Sequence, residues 1–144
     1  MAIRAFTKEN RWLSNFAEVM ITYRGLTYDN TEAAYQSAKF PGVEDLFVGI
    51  TGKEAKALSK KLAKDCRPDW NDVRVDVMRE VCELKFAQEP YRGQLLTTGN
   101  ELLEEGNWWG DTFWGVSQQT GKGENQLGNI LMSIRRNIRN AKRN

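Results

Sequence analysis

A change of periodicity near residue 30 does most to limit what this chain can fold into. Before it, residues 19–28 hold two β-rich runs on either side of an Arg24-Gly25 turn, the pattern of a β-hairpin. After it, apolar residues recur at helical spacing. Asn30 or Thr31 can cap a helix reaching about Phe40, ahead of Pro41-Gly42. Thr51 or Gly52 opens the next, with Ala55, Leu58 and Leu62 on one face. A third is expected over residues 69–88, its stripe of Val77, Val81 and Leu84 widened by Met78, Cys82 and Phe86, until Pro90 stops it. The last starts near Gly123 and carries Leu127, Ile130, Leu131, Ile134 and Ile138 inward, with its arginines outward. Residues 3–6 are expected to join the hairpin in a small sheet, and a short strand is expected over residues 102–104. The fold class is therefore α+β, predominantly helical: a single compact domain over residues 1–144 with a small β element.

Nothing in the chain suggests a linker, a repeat or an apolar run of membrane-spanning length, and the N-terminus lacks the pattern of a signal peptide. A cytoplasmic monomer with no membrane partner is expected. Net charge is +2, too mild for a dedicated duplex-DNA binder. The charge is uneven, with Lys53, Lys56, Lys60, Lys61 and Lys64 in one run and Arg135, Arg136, Arg139, Lys142 and Arg143 in another. Both runs read first as solvated helix faces, and second as contacts for an anion or nucleic acid.

The chain has no histidine. That excludes Ser-His-Asp and Cys-His nucleophile systems and His-containing zinc sites. Cys66 and Cys82 form no CxxC pair and read as ordinary thiols. Acid-base chemistry must come from carboxylates, lysine or tyrosine. No metal and no cofactor are expected.

Three groups of residues could carry chemistry. Trp108, Trp109 and Trp114 crowd a Gly-rich passage, an unusual way to build a core but a natural surface for a flat heterocycle. Trp114 and Trp70 also sit beside acids, Asp111 and Asp69. Glu32 falls in the first turn of a helix, where a carboxylate gains from the helix dipole even without a function. Tyr35 and Lys39 lie on roughly the same face, so a carboxylate, a phenol and an ammonium could share one wall. Finally, Gly121-Lys122-Gly123-Glu124-Asn125-Gln126-Leu127-Gly128 opens a helix in the manner of a phosphate loop, though it matches neither the Walker nor the dinucleotide pattern. A plain turn would also account for it.

The order of motifs resembles the NADAR (YbiA-like) N-glycosidase family. The resemblance runs through Leu13-Ser14-Asn15-Phe16, Thr31-Glu32-Ala33-Ala34-Tyr35-Gln36-Ser37-Ala38-Lys39-Phe40, Arg67-Pro68-Asp69-Trp70, Leu95-Leu96-Thr97-Thr98-Gly99, the passage from Asp111 to Gly115, and the Gly123 loop with Leu131-Met132 and Arg135. Many members carry histidine after the motif glutamate, where this chain has Ala33. The resemblance implies cleavage of the bond between a nitrogen base and a phosphorylated ribose. The substrate would be a small ribosylaminopyrimidine phosphate of riboflavin synthesis, or ADP-ribose on guanine of DNA or RNA. It implies Glu32, Trp70, Asp111 and Trp114 as the active-site group, with Lys39 beside them.

On that basis Glu32 would activate water or stabilise a cationic sugar, and Asp111 would bind ribose hydroxyls or share the acid-base work. Trp70 and Trp114 would clamp the base. Loop 121–128, with Gly123 and Asn125, would hold phosphate together with Arg135 or Lys56. Asn15 and Tyr35 would complete the substrate contacts. Lys39 has an alternative role, attacking C1′ to form a Schiff base. The competing readings are a non-catalytic ADP-ribose or nucleotide-binding module, and a nucleic-acid binder that uses the C-terminal basic helix.

Overall fold

The computed structural model describes residues 2–143, with the side chains of Lys142 and Arg143 lying outside the described residues. Along the chain run β1 (Ala2–Ile3), β2 (Glu18–Tyr23), β3 (Leu26–Asn30), α1 (Thr31–Ser37), α2 (Gly52–Lys61), α3 (Trp70–Phe86), α4 (Tyr91–Thr97), β4 (Leu102–Leu103), β5 (Gly106–Asn107), β6 (Val116–Ser117) and α5 (Gln126–Arg143). The fold is α+β, with helices predominating and strands short. Contacts group the chain into two units: Asn15–Lys85 forms one, and the residues up to Ser14 with those from Phe86 onward form the other.

The Asn15–Lys85 unit begins with the expected hairpin. β2 and β3 pair antiparallel, with Ile21 opposite Tyr28 and Tyr23 opposite Leu26. Arg24 and Gly25 both have positive φ, 51° and 88°, the backbone of a two-residue turn whose twist matches the strands. Along β2, Val19, Ile21 and Tyr23 are buried while Glu18, Met20 and Thr22 face solvent, the two-residue alternation of a half-buried strand.

Strand passes to helix without a loop because Asn30 serves both. Its Oδ1 accepts from the Ala33 N–H at 2.8 Å and its Nδ2 donates to the Ile50 carbonyl at 2.9 Å. Every residue of α1 is buried. The helix ends three residues before the expected Phe40, since residues 38–40 close into tight turns onto Tyr35, Gln36 and Ser37. α2 opens on a capping box between Thr51 and Glu54. Its most buried positions are Gly52, Ala55 and Ser59, with Leu58 half-buried, so the inward face is turned from the one expected. α3 shows a similar rotation. Val77, Met78, Val81, Cys82 and Lys85 are buried, whereas Leu84 is 37% exposed.

In the other unit β1 pairs parallel with β4, Ile3 opposite Leu103, and does not join the hairpin as expected. The expected strand near residue 102 is therefore present, but with a different neighbour. β5 and β6 form a second short parallel pair. α3 stops at Phe86, short of Pro90, and α4 was not foreseen: it starts straight after Pro90, where a proline's missing N–H costs no helical hydrogen bond. α5 buries Leu127, Ile130, Leu131 and Ile134, with Ile138 half-buried. Gly128 allows close packing there, because a Cβ would collide with the Leu103 carbonyl. Among the described residues no helix is long and apolar enough to cross a membrane.

Candidate active site

The first turn of α1 fixes Glu32. Its backbone N–H donates to the Asn15 carbonyl at 3.0 Å, and its Oε2 accepts from Gln36 Nε2 at 2.6 Å. The carboxylate residue is 8% exposed. Seven residues on, Lys39 follows the end of α1 and reaches Ser59 of α2, Nζ to Oγ 3.2 Å. Its ammonium lies 5.9 Å from the Tyr35 ring centre and 5.7 Å from that of Trp70, and those two rings are 5.2 Å apart at a tilt of 59°. Burial lowers the Lys39 pKa from the ordinary 10.5. The Cys66 thiol and the Glu32 carboxylate oppose that shift, and the cations of Lys56 and Arg74 add to it. Glu32, Tyr35, Lys39, Trp70 and Lys56 therefore belong to one electrostatic neighbourhood within the Asn15–Lys85 unit, a carboxylate set against several cations.

Two expected ligand contacts in this unit take other roles. Asn15 points its amide inward, Nδ2 to Met78 Sδ at 3.3 Å, and its backbone carbonyl accepts from the Glu32 N–H. Trp70 is buried, with Tyr35 and Lys39 against it, so it supports the lysine and offers little open face for a base. Lys56 is exposed, 5.9 Å from the Phe16 ring. A cleft of about 580 Å³ elsewhere in the unit is lined by Tyr23, Tyr28, Ser37, Arg67 and Asp69 among others, and by none of Glu32, Lys39 or Trp70.

The remaining candidates lie in the other unit. Asp111 Oδ1 accepts from the backbone N–H groups of Phe113 and Trp114 at 3.0 and 2.9 Å, which shapes the loop. Asn107, buried, holds the same loop by donating to the Asp111 carbonyl and accepting from its N–H. Trp114 is half-buried, edge-on to Phe113. Trp108 and Trp109 are 64% and 67% exposed and form no core.

Loop 121–128 is not a phosphate cradle. The N–H groups of Glu124, Asn125, Gln126 and Leu127 donate to the carbonyls of Thr112, Gly115, Phe113 and Trp114, so the donors a phosphate would need are already used. Gly123 is there because a Cβ would strike the Gly115 carbonyl. Asn125 braces the chain, accepting from the Glu105 N–H and donating to the Leu103 carbonyl. Arg135 points inward and not outward: it is buried, with its terminal nitrogens on Thr98 Oγ1 at 2.7 Å and the Glu101 carbonyl at 2.9 Å. It clasps the turn after α4 and is no phosphate grip.

The NADAR domain profile matches residues 4–139. This chain belongs to the NADAR domain family. It is 37% identical to an N-glycosidase of Nostoc punctiforme over 88% of this chain and 85% of that protein. It is 32% identical to N-glycosidase YbiA of Escherichia coli K12 over 87% and 79%. A riboflavin biosynthesis protein of Vibrio vulnificus is 37% identical, but the chain spans only 35% of its length. The solved NMR structure of E. coli YbiA matches with a TM-score of 0.85 at 28% identity, covering 99% of this chain and 86% of that one.

In this NADAR domain three site neighbours escaped the reading of the sequence. Gln36 carried the i, i+4 spacing to Glu32 that would have revealed it. Ser59 and Arg74 come from α2 and α3, and only tertiary packing brings them to Lys39. Among the described residues no group of three or more His, Cys, Asp or Glu is placed to hold a metal ion.

Proposed function

We propose that this chain hydrolyses the N-glycosidic bond between a nitrogen base and a phosphorylated ribose, with a ribosylaminopyrimidine phosphate as the small-molecule substrate. Its class, a hydrolase of N-glycosyl bonds, follows from family membership and from relatives named N-glycosidases that it covers over most of their length. The substrate is favoured by the relatives named for riboflavin biosynthesis, from Vibrio vulnificus and Zea mays. ADP-ribose on guanine of DNA or RNA is the second candidate of the same chemistry.

The observation that carries the reading is the buried Glu32 carboxylate, held by Gln36 and near enough to Lys39 to act on its charge. N-glycoside cleavage builds positive charge at C1′ while an anionic phosphate must be kept in place. Glu32 meets the first demand, as general base to water or as a counter-charge. Lys56 and Arg74 meet the second, in place of loop 121–128 and Arg135. The lowered pKa of Lys39 favours a second route, in which its amine attacks C1′ and passes through a Schiff base with the opened ribose. Borohydride added during turnover separates the two, since only the amine route leaves a mass adduct on Lys39. A substrate panel read by mass spectrometry tests the function itself. Accumulating ribose 5-phosphate or ADP-ribose supports hydrolysis, whereas every ligand returned intact makes the protein a binding module.

A further inference from the structure

The amide of Gln36 has two ends, and only one of them is used. Nε2 donates to Glu32 Oε2 at 2.6 Å, while Oε1 is buried with no hydrogen-bond partner, in a residue only 6% exposed. A buried carbonyl oxygen without a donor is uncommon, because leaving it unmet carries the full desolvation cost of the group. Here the bond to Glu32 fixes the amide plane, so the orphan acceptor lies beside the carboxylate. The rest of α1 is buried; the Asn30 cap and the Ser37 hydroxyl are paired, while Thr31 Oγ1, next to Glu32 in sequence, is likewise buried without a partner.

We propose that Gln36 is a catalytic residue, the second anchor of the attacking water. A water molecule that presents its lone pair to C1′ must direct both protons elsewhere. A carboxylate takes one of them. The Gln36 carbonyl, the unpartnered acceptor on the same amide that binds Glu32, takes the other. As the reaction proceeds, the water oxygen forms the new C1′–O bond. The C1′–N bond breaks with its electron pair leaving on the base. Glu32 takes the first proton and returns it to the departing nitrogen, and the proton on Gln36 Oε1 stays with the new hydroxyl. This inference rests on the assignment of Glu32 to water activation.

The test uses methanol, which has one O–H proton and has no need of the second anchor. Parent, Gln36→Met and Gln36→Asn enzymes are given a ribosylaminopyrimidine 5′-phosphate or ADP-ribosylated guanine in buffer containing methanol, and free ribose product is measured against the methyl riboside. In Gln36→Met, hydrolysis is expected to fall roughly 10²-fold, the scale of a misplaced reacting group, with KM little changed. The ratio of methyl riboside to free ribose product should rise several-fold. Gln36→Asn, with a shorter reach, reports the same ratio if the methionine variant is unstable. A ratio equal to the parent's, zero included, overturns the inference. Glu32→Gln is run alongside. If it stays within a few-fold of the parent, the reading of Glu32 fails first, whereas an essential Glu32 with an unmoved ratio defeats the role of Gln36 alone.

Discussion

Lys39 is anchored by Ser59: Nζ stands 3.2 Å from Oγ, beside two aromatic rings and with much of its hydration removed. Burial is the main cause of its lowered pKa. In the folded state the proton is therefore lost at a pH below 10.5, the value for an ordinary lysine. Between those two points the unfolded chain binds more protons than the native one, so stability rises with pH across that window. Urea denaturation of the parent and of Lys39→Met, from neutrality to about pH 10, should show the parent gaining on the variant as pH rises. Parallel curves would mean that Lys39 is not desolvated.

Arg135 is expected to matter for stability and not for substrate. Arg135→Ala removes the donors to Thr98 and the Glu101 carbonyl, and should cost about 1–3 kcal/mol in denaturant midpoint analysis. KM for the phosphorylated substrate should stay within about twofold, since no uniform binding interaction is lost. A large rise in KM with unchanged stability would restore its phosphate role.

Gly52 lies where α2 meets Phe16, and a Cβ there would stand 2.7 Å from Phe16 Cδ1. Alanine brings up to about 1 kcal/mol of helix propensity. Overpacking costs about 1–3 kcal/mol, so Gly52→Ala should be net destabilising and lower Tm. A raised Tm would show that Phe16 yields freely.

Trp108 is expected to be dispensable for folding. With its side chain mostly in water, Trp108→Ala should change stability by no more than about 0.5 kcal/mol in chemical denaturation. A loss of several kcal/mol would mean that the exposed indole packs in solution.

Local chemistry was readable wherever one short segment decided the outcome. The Arg24-Gly25 turn, the Asn30 cap and the capping box at Thr51 are each written in a few adjacent residues. The resemblance in motif order placed the chain in its family correctly. Pairings across the sequence were less legible. Nothing near Ile3 points to Leu103 as its partner in place of the hairpin, and two-residue strands carry no periodicity. Arg135 looks like one more arginine of an outward face until Thr98 and Glu101 are placed beneath it. Loop 121–128 failed for a physical reason: glycines that bring backbone close to phosphate serve equally to bring backbone close to backbone. That Glu32 and Lys39 lie near one another was legible because their seven-residue spacing falls within a single local segment, while Ser59 and Arg74 arrive from other helices.

The account stands on Glu32, and single-turnover rates of the folded Glu32→Gln variant on a ribosylaminopyrimidine phosphate test it most directly. Removing a general base or a charge-stabilising group should slow base release by about 10²–10⁴-fold, with circular dichroism unchanged. A rate within a few-fold of the parent would contradict it, because no catalytic carboxylate can be neutralised at so little cost.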